Sequence, residues 1–168
     1  MNAYDRDVTT TRDEALSDLK RAGRLVEQRI SPDGSFDGWG GRDVLCHLGA
    51  YARLVGAVLQ GRAEGRPPTM TELYGRDLTD VESAMVELDE VNEAIRREYE
   101  ALSYNEALAF WRAKHQQVLA QAARLTDCQL AEPGPSYPPN WRRPHLVEVI
   151  EALVSHYEGH MVGRHGDG

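Results

Sequence analysis

At 168 residues and 18.8 kDa the chain is long enough to bury a core of its own, and its length suits one domain over residues 1–168. A net charge of −8 and an isoelectric point near 5.2 argue against a broad nucleic-acid face and against attraction to anionic membranes. Neither direct nucleic-acid contact nor a membrane partner is therefore expected.

The opening, MNAYDRDVTTTRDEA, is charged where a signal peptide would be apolar, and the apolar stretch LVGAVLQG is too short to span a bilayer. A first helix opens on a capping box, Thr11 with Glu14, and ends before Pro32. Its apolar stripe is Leu16, Leu19, Gly23, Val26 and Ile30. The glycine-rich loop SPDGSFDGWGG follows, and its length suits antiparallel neighbours on either side. A second helix is predicted from about Arg42 to Gln60, with Val44, Leu48, Tyr51, Val55 and Leu59 on one face. The next forty or so residues hold a loop, GRAEGRPPT, and an acidic helical piece, DVESAMVELDEVNEAIRREYEAL. Such a long crossover lets the helices it joins run parallel, with the extra piece on the bundle surface. A third long helix opens on a second capping box, Ser103 with Glu106, and its stripe includes Leu108, Trp111, His115 and Val118. After the proline-rich EPGPSYPPNW a fourth is predicted from near Pro144, through Leu146, Ile150, Leu153, Tyr157 and Met161. No segment offers a period-2 run, so the fold class is all-α: four long helices with a helical crossover between the second and third.

Chemistry enters with SHYEGHM. His156 and His160 are four residues apart, which puts them on one helical face with Cβ atoms roughly 5–6 Å apart, close enough to share a metal ion. Such a pair alone is a weak signal. A third imidazole is offered by His47, two turns into the second helix beside Val44, Leu48 and Tyr51. Bundles build metal sites from facing helices in this way. Trp39, Tyr51, Trp111 and Tyr157 are the candidates to line a substrate pocket. His115, on an apolar stripe, reads as a satisfied core histidine; His165 is half a turn out of phase with His156, and His145 stands at a helix start. Cys46 reads as a small core residue, and with only one other cysteine, Cys128, reduced thiols in the cytoplasm are expected.

The run WGGRDVLCHL, followed at the far end by HYEGH, resembles the DinB-like four-helix-bundle superfamily over nearly the whole chain. In that superfamily a tryptophan precedes a helix carrying one histidine ligand, and a late HxxxH supplies the other two. The resemblance implies that His47, His156 and His160 hold zinc or nickel. It also points to thiol-dependent S-transferases and to the N-terminal domain of mycothiol-dependent maleylpyruvate isomerases. Only Lys20 and Lys114 among 19 basic residues are lysine, a bias that fits the GC-rich bacteria in which mycothiol occurs. The segments VNEAI, SYNEALAFWRAKHQQVL and SHYEGHM are similar to a second branch, the colibactin self-resistance proteins. The resemblance there implies a metal-independent hydrolase acting on a DNA-alkylating natural product.

Three imidazoles on one ion leave a coordination position open, as catalytic sites do. The leading expectation is thus a metal-dependent enzyme acting on a small electrophile, with mycothiol or another low-molecular-weight thiol as cofactor. The self-resistance hydrolase is the alternative, and a ligand-binding bundle without catalysis is the third reading. Relatives that often dimerise make a homodimer the expected assembly.

Overall fold

The structure, a computed structural model, describes residues 10–36, 38–75, 88–133 and 145–162. Its first helix, α1 (Arg12–Arg29), begins at the expected capping box: the Thr11 hydroxyl accepts from the Glu14 amide, and Glu14 accepts from the Thr11 amide at 2.8 Å. A small antiparallel hairpin follows, β1 (Ser35–Phe36) with β2 (Trp39–Gly40), whose turn places Gly38 at φ 83°. Strands of two residues are too short to show a period-2 pattern, which is why the sequence reads there as loop.

The second helix, α2 (Gly41–Glu64), runs a turn beyond its expected end and stops at Gly65, left-handed at φ 67°. The crossover holds α3 (Met70–Tyr74) and α4 (Leu88–Glu98), and Arg53 ties it to α2. The Arg53 guanidinium donates to the Tyr74 carbonyl at 2.7 Å and to the Tyr99 hydroxyl at 2.6 Å. Next come α5 (Tyr104–Arg124), capped by Ser103 and Glu106, the short α6 (Asp127–Ala131), and α7 (Val147–Val162). The first third of the expected crossover helix, most of the proline-rich EPGPSYPPNW with Trp141, the start at Pro144, and His165 lie outside the described residues.

Side-chain neighbours fix the directions. Gly49 of α2 faces Phe110 and Trp111 of α5, and Gly56 faces Gln117 and Val118, so α2 and α5 run parallel as the long crossover predicts. Thr10, just before α1, meets Glu151 of α7, and Arg21 meets Glu158, so α1 and α7 are also parallel. Gly23 lies against His115 and Glu27 pairs with Arg112, so α1 and α5 are antiparallel. The most extensive packing is α2 on α5 and α1 on α7, with lighter contacts of α1 on α5 and α2 on α7. The four long helices therefore form a ring in which α1 and α2, antiparallel as expected, sit diagonally instead of side by side. The hairpin makes that diagonal step across the end of the bundle.

The core is the set of inward stripes, among them Leu19, Val26, Val44, Leu48, Leu59, Trp111, Val118, Ile150, Leu153 and Tyr157. Each such side chain contributes about 1.5–3 kcal/mol when fully removed from water. By length and composition α2 is a helix that could cross a membrane, although LVGAVLQG alone is too short. However, 78% of its apolar window is buried inside the protein, where it serves as the central helix of the core.

Candidate metal centre

The hairpin and the start of α2 build one wall of the site. Gly41 passes so close to the Ser31 carbonyl that a Cβ would overlap it, and its amide donates to the Gly34 carbonyl at 3.2 Å. This tight closure carries Trp39 over the first turns of α2. Its indole meets the His47 ring edge-on, with centroids 5.3 Å apart. His47 lies on the inward face of α2 and is only 3% exposed. From α7, His156 and His160 come in on one face, as their spacing predicts, with ring centroids 4.8 and 5.0 Å from that of His47. Tyr51, one turn along α2, stacks on His156 at 4.1 Å and 24° and fixes the plane of that ring.

The three histidines converge: one ring nitrogen from each lies within 4.8 Å of the others. The Nε2 atoms of His47 and His156 are 2.8 Å apart, a hydrogen bond in which one imidazole donates and the other accepts. Burial lowers the pKa of His47 to about 4, and neighbouring His160 adds to the effect. His156 falls to about 3, first through burial and then through His47 and His160. Both rings are therefore neutral at physiological pH, the form that can ligate a metal.

The donor set fits a divalent ion in type, burial and convergence. Zinc–nitrogen bonds of about 2.0–2.1 Å hold tetrahedral ligand atoms about 3.3 Å apart. The His47–His156 contact would have to open by about half an ångström to match that spacing. One feature departs from common practice. A ligating histidine usually donates its second nitrogen to a carboxylate or carbonyl, whereas His47 Nδ1 is buried with no hydrogen-bond partner among the described residues.

The four aromatic candidates divide into two groups. Trp39 and Tyr51, half-buried, pack directly on the histidines. Trp111 and Tyr157 are 1% and 0% exposed and pack instead around His115 in the core, with centroids 5.3 and 5.7 Å from that ring. His115 is buried as expected, yet its Nδ1 has no hydrogen-bond partner among the described residues. Nothing local in the sequence signals this, because its neighbour Gly23 comes from a different helix. His145 is half-buried and donates through Nδ1 to the Ala131 carbonyl at 2.8 Å. Cys46 lies in the core, its thiol pKa pushed up to about 11 mainly by burial, so it is no ready nucleophile.

This ring of helices with a long crossover is a DinB-like bundle. The chain belongs to the family of the mycothiol maleylpyruvate isomerase N-terminal domain, whose pattern matches residues 13–150. Among solved structures it is similar to an uncharacterised protein from Escherichia coli UTI89, with a TM-score of 0.65, 18% identity and 92% of each chain covered. It is also similar to the colibactin self-resistance protein ClbS in complex with a double-stranded DNA, with a TM-score of 0.59 and 14% identity. That match covers 92% of this chain and 97% of the other. No curated protein sequence matches the chain.

The DNA complex corrects the expectation drawn from net charge, which set direct nucleic-acid contact aside. A bundle of the same fold is solved on a duplex. Net charge sums the whole surface, whereas contact with a phosphate backbone is decided by local potential.

Proposed function

We propose that this chain is a metal-dependent enzyme that acts on a reactive small molecule, with His47, His156 and His160 holding zinc or nickel. A mycothiol-type thiol would be its co-substrate, and the activity would reside in one domain over residues 1–168. The observation that carries this reading is the convergence of three imidazoles, two of them kept neutral by burial, at the junction of α2 and α7. The family's own description, which names mycothiol, supports the choice of thiol. A divalent ion in this site would acidify a thiol or water on its open side, making a nucleophile at neutral pH.

The chain's own residues have separate tasks. Tyr51 holds the His156 ring by stacking, and Trp39 closes over His47. Both are half-buried, so they form the side from which an electrophile would approach. Trp111 and Tyr157 lie in the core around His115, and the proposal gives them no contact with substrate. A cytoplasmic setting, where Cys46 and Cys128 stay reduced, belongs to the same proposal.

The test is metal content and calorimetric titration of wild type and of the His47→Ala, His156→Ala and His160→Ala variants, prepared without chelators. Each variant is expected to bind at least tenfold more weakly, because two imidazoles are a poor site for a divalent cation. A His47→Ala protein that binds like wild type would end the three-histidine assignment.

A second reading draws on the 2.8 Å hydrogen bond between His47 and His156 and on the likeness to ClbS. Here no metal is used, and a neutral imidazole of the pair takes a proton from the attacking water. Turnover that survives chelation and ignores added thiol would favour this resistance-type hydrolase.

A further inference from the structure

A second polar feature lies across the bundle from the histidine trio, between α1 and α5. There a cleft of about 180 Å³ has a floor of Gly23, Trp111 and His115, all buried. The His115 imidazole, on a side chain 5% exposed, turns its Nε2 edge toward Gly23, while its Nδ1 has no hydrogen-bond partner among the described residues. Native proteins seldom leave such a buried nitrogen unmatched. The cleft exists because residue 23 is glycine; a Cβ there would overlap the edge of the His115 imidazole.

The rim reverses the charge of the protein. In a chain of net charge −8, Lys20, Arg24 and Arg112 line this cleft with Glu27 as the acid among them. Glu27 is taken by Arg112 at 2.7 Å, whereas Lys20 and Arg24 have no ion pair among the described residues. Leu119, half-buried, adds an apolar wall. Burial lowers the His115 pKa, which keeps the ring a neutral donor and acceptor. A cavity of about 150 Å³ admits a molecule the size of benzene, so this one suits a small ring bearing one charged group.

We propose that the α1–α5 cleft is a binding site for a small organic carboxylate, distinct from the histidine trio. Its carboxylate sits on Lys20 and Arg24, and its apolar body rests against Leu119 and the Trp111–His115 floor. Cationic rim, apolar wall and a floor of indole and imidazole rings together match such a ligand better than a bare inorganic anion or a neutral hydrocarbon.

The probe is sodium benzoate, titrated into the full chain while the Trp111 indole N–H resonance is followed, assigned by its loss in Trp111→Phe. A saturable shift is expected. In the Lys20→Gln/Arg24→Gln variant binding should weaken by about tenfold, the scale of lost charge-assisted contacts. Both substitutions are on exposed side chains, so the fold is expected to survive, and circular dichroism checks it. Benzyl alcohol, which has the ring without the charge, should bind about tenfold more weakly than benzoate to wild type. His47→Ala should bind benzoate as wild type does. No saturable shift up to the solubility limit, an undiminished one in the double variant, or its loss in His47→Ala would each overturn the proposal.

Discussion

His47 and His156 meet through Nε2 atoms in surroundings that keep both uncharged, and this makes the protein sensitive to acid. The sign follows from linkage. In the unfolded chain each ring takes a proton near its ordinary pKa of 6.5, whereas in the folded protein it does so only near pH 4 or 3. The unfolded state therefore binds more protons between those values, and stability falls as pH drops from about 6.5 toward 3. For His47 alone the loss is on the order of 3 kcal/mol once pH nears 4. Denaturant midpoints of chelator-treated protein should show this slope, and His156→Gln should flatten it. A slope unchanged by that substitution would mean the acid sensitivity lies elsewhere. At the same scale, Gly23→Ala should cost about 1–3 kcal/mol, because the new methyl forces the His115 ring off its seat. Thermal or urea unfolding measures it.

The elements owe their boundaries to local chemistry. Thr11 with Glu14 and Ser103 with Glu106 announce α1 and α5 in the sequence, and the structure has both boxes closed. Thr69 with Glu72 and Thr126 with Gln129 carry the same signature and start α3 and α6, yet they go unread because each opens a helix of five residues. Without a stripe long enough to show a period, a capping box looks like any loop. The partnership of His156 and His160 is legible because one helix holds both. His47 joins them only through the packing of α2 on α7, which family resemblance implies and periodicity does not contain. Ser103→Ala should lower stability by about 1 kcal/mol without touching metal affinity, as equilibrium unfolding beside calorimetry would show. Gly49→Ala should cost about 1–3 kcal/mol, because a Cβ there would strike the Phe110 ring and press on the backbone of Trp111.

At the scale of the whole molecule, the core draws on all four long helices and consists of apolar side chains other than the three histidines. We predict that His160→Ala stays helical and unfolds cooperatively while losing metal, unlike a zinc finger, which collapses without its ion. Circular dichroism with thermal melting decides this, and an unfolded variant would make the centre structural instead of catalytic. The sequence conveys that the bundle is all-helical and that its crossover is long enough for a parallel pair. It does not convey which helices sit diagonally, since inward stripes state that a face is buried and leave its partner open.

The ring of helices has an uneven weave, and that unevenness bears on motion. Two parallel pairs, α1 with α7 and α2 with α5, are packed extensively, while α2 with α7 and α1 with α5 touch more lightly. The histidine trio lies in one light seam and the cleft beneath Gly23 in the other. Transient opening should follow the weaker joins, so the two tight pairs would part from each other like the covers of a book, admitting solvent and solutes to both seams. Amide hydrogen exchange offers a direct view. Protection in α7 near His156 should rise when zinc is added, because an ion held from both covers acts as a clasp, while amides between Gly49 and Gly56, sealed under α5, should exchange slowly with or without it.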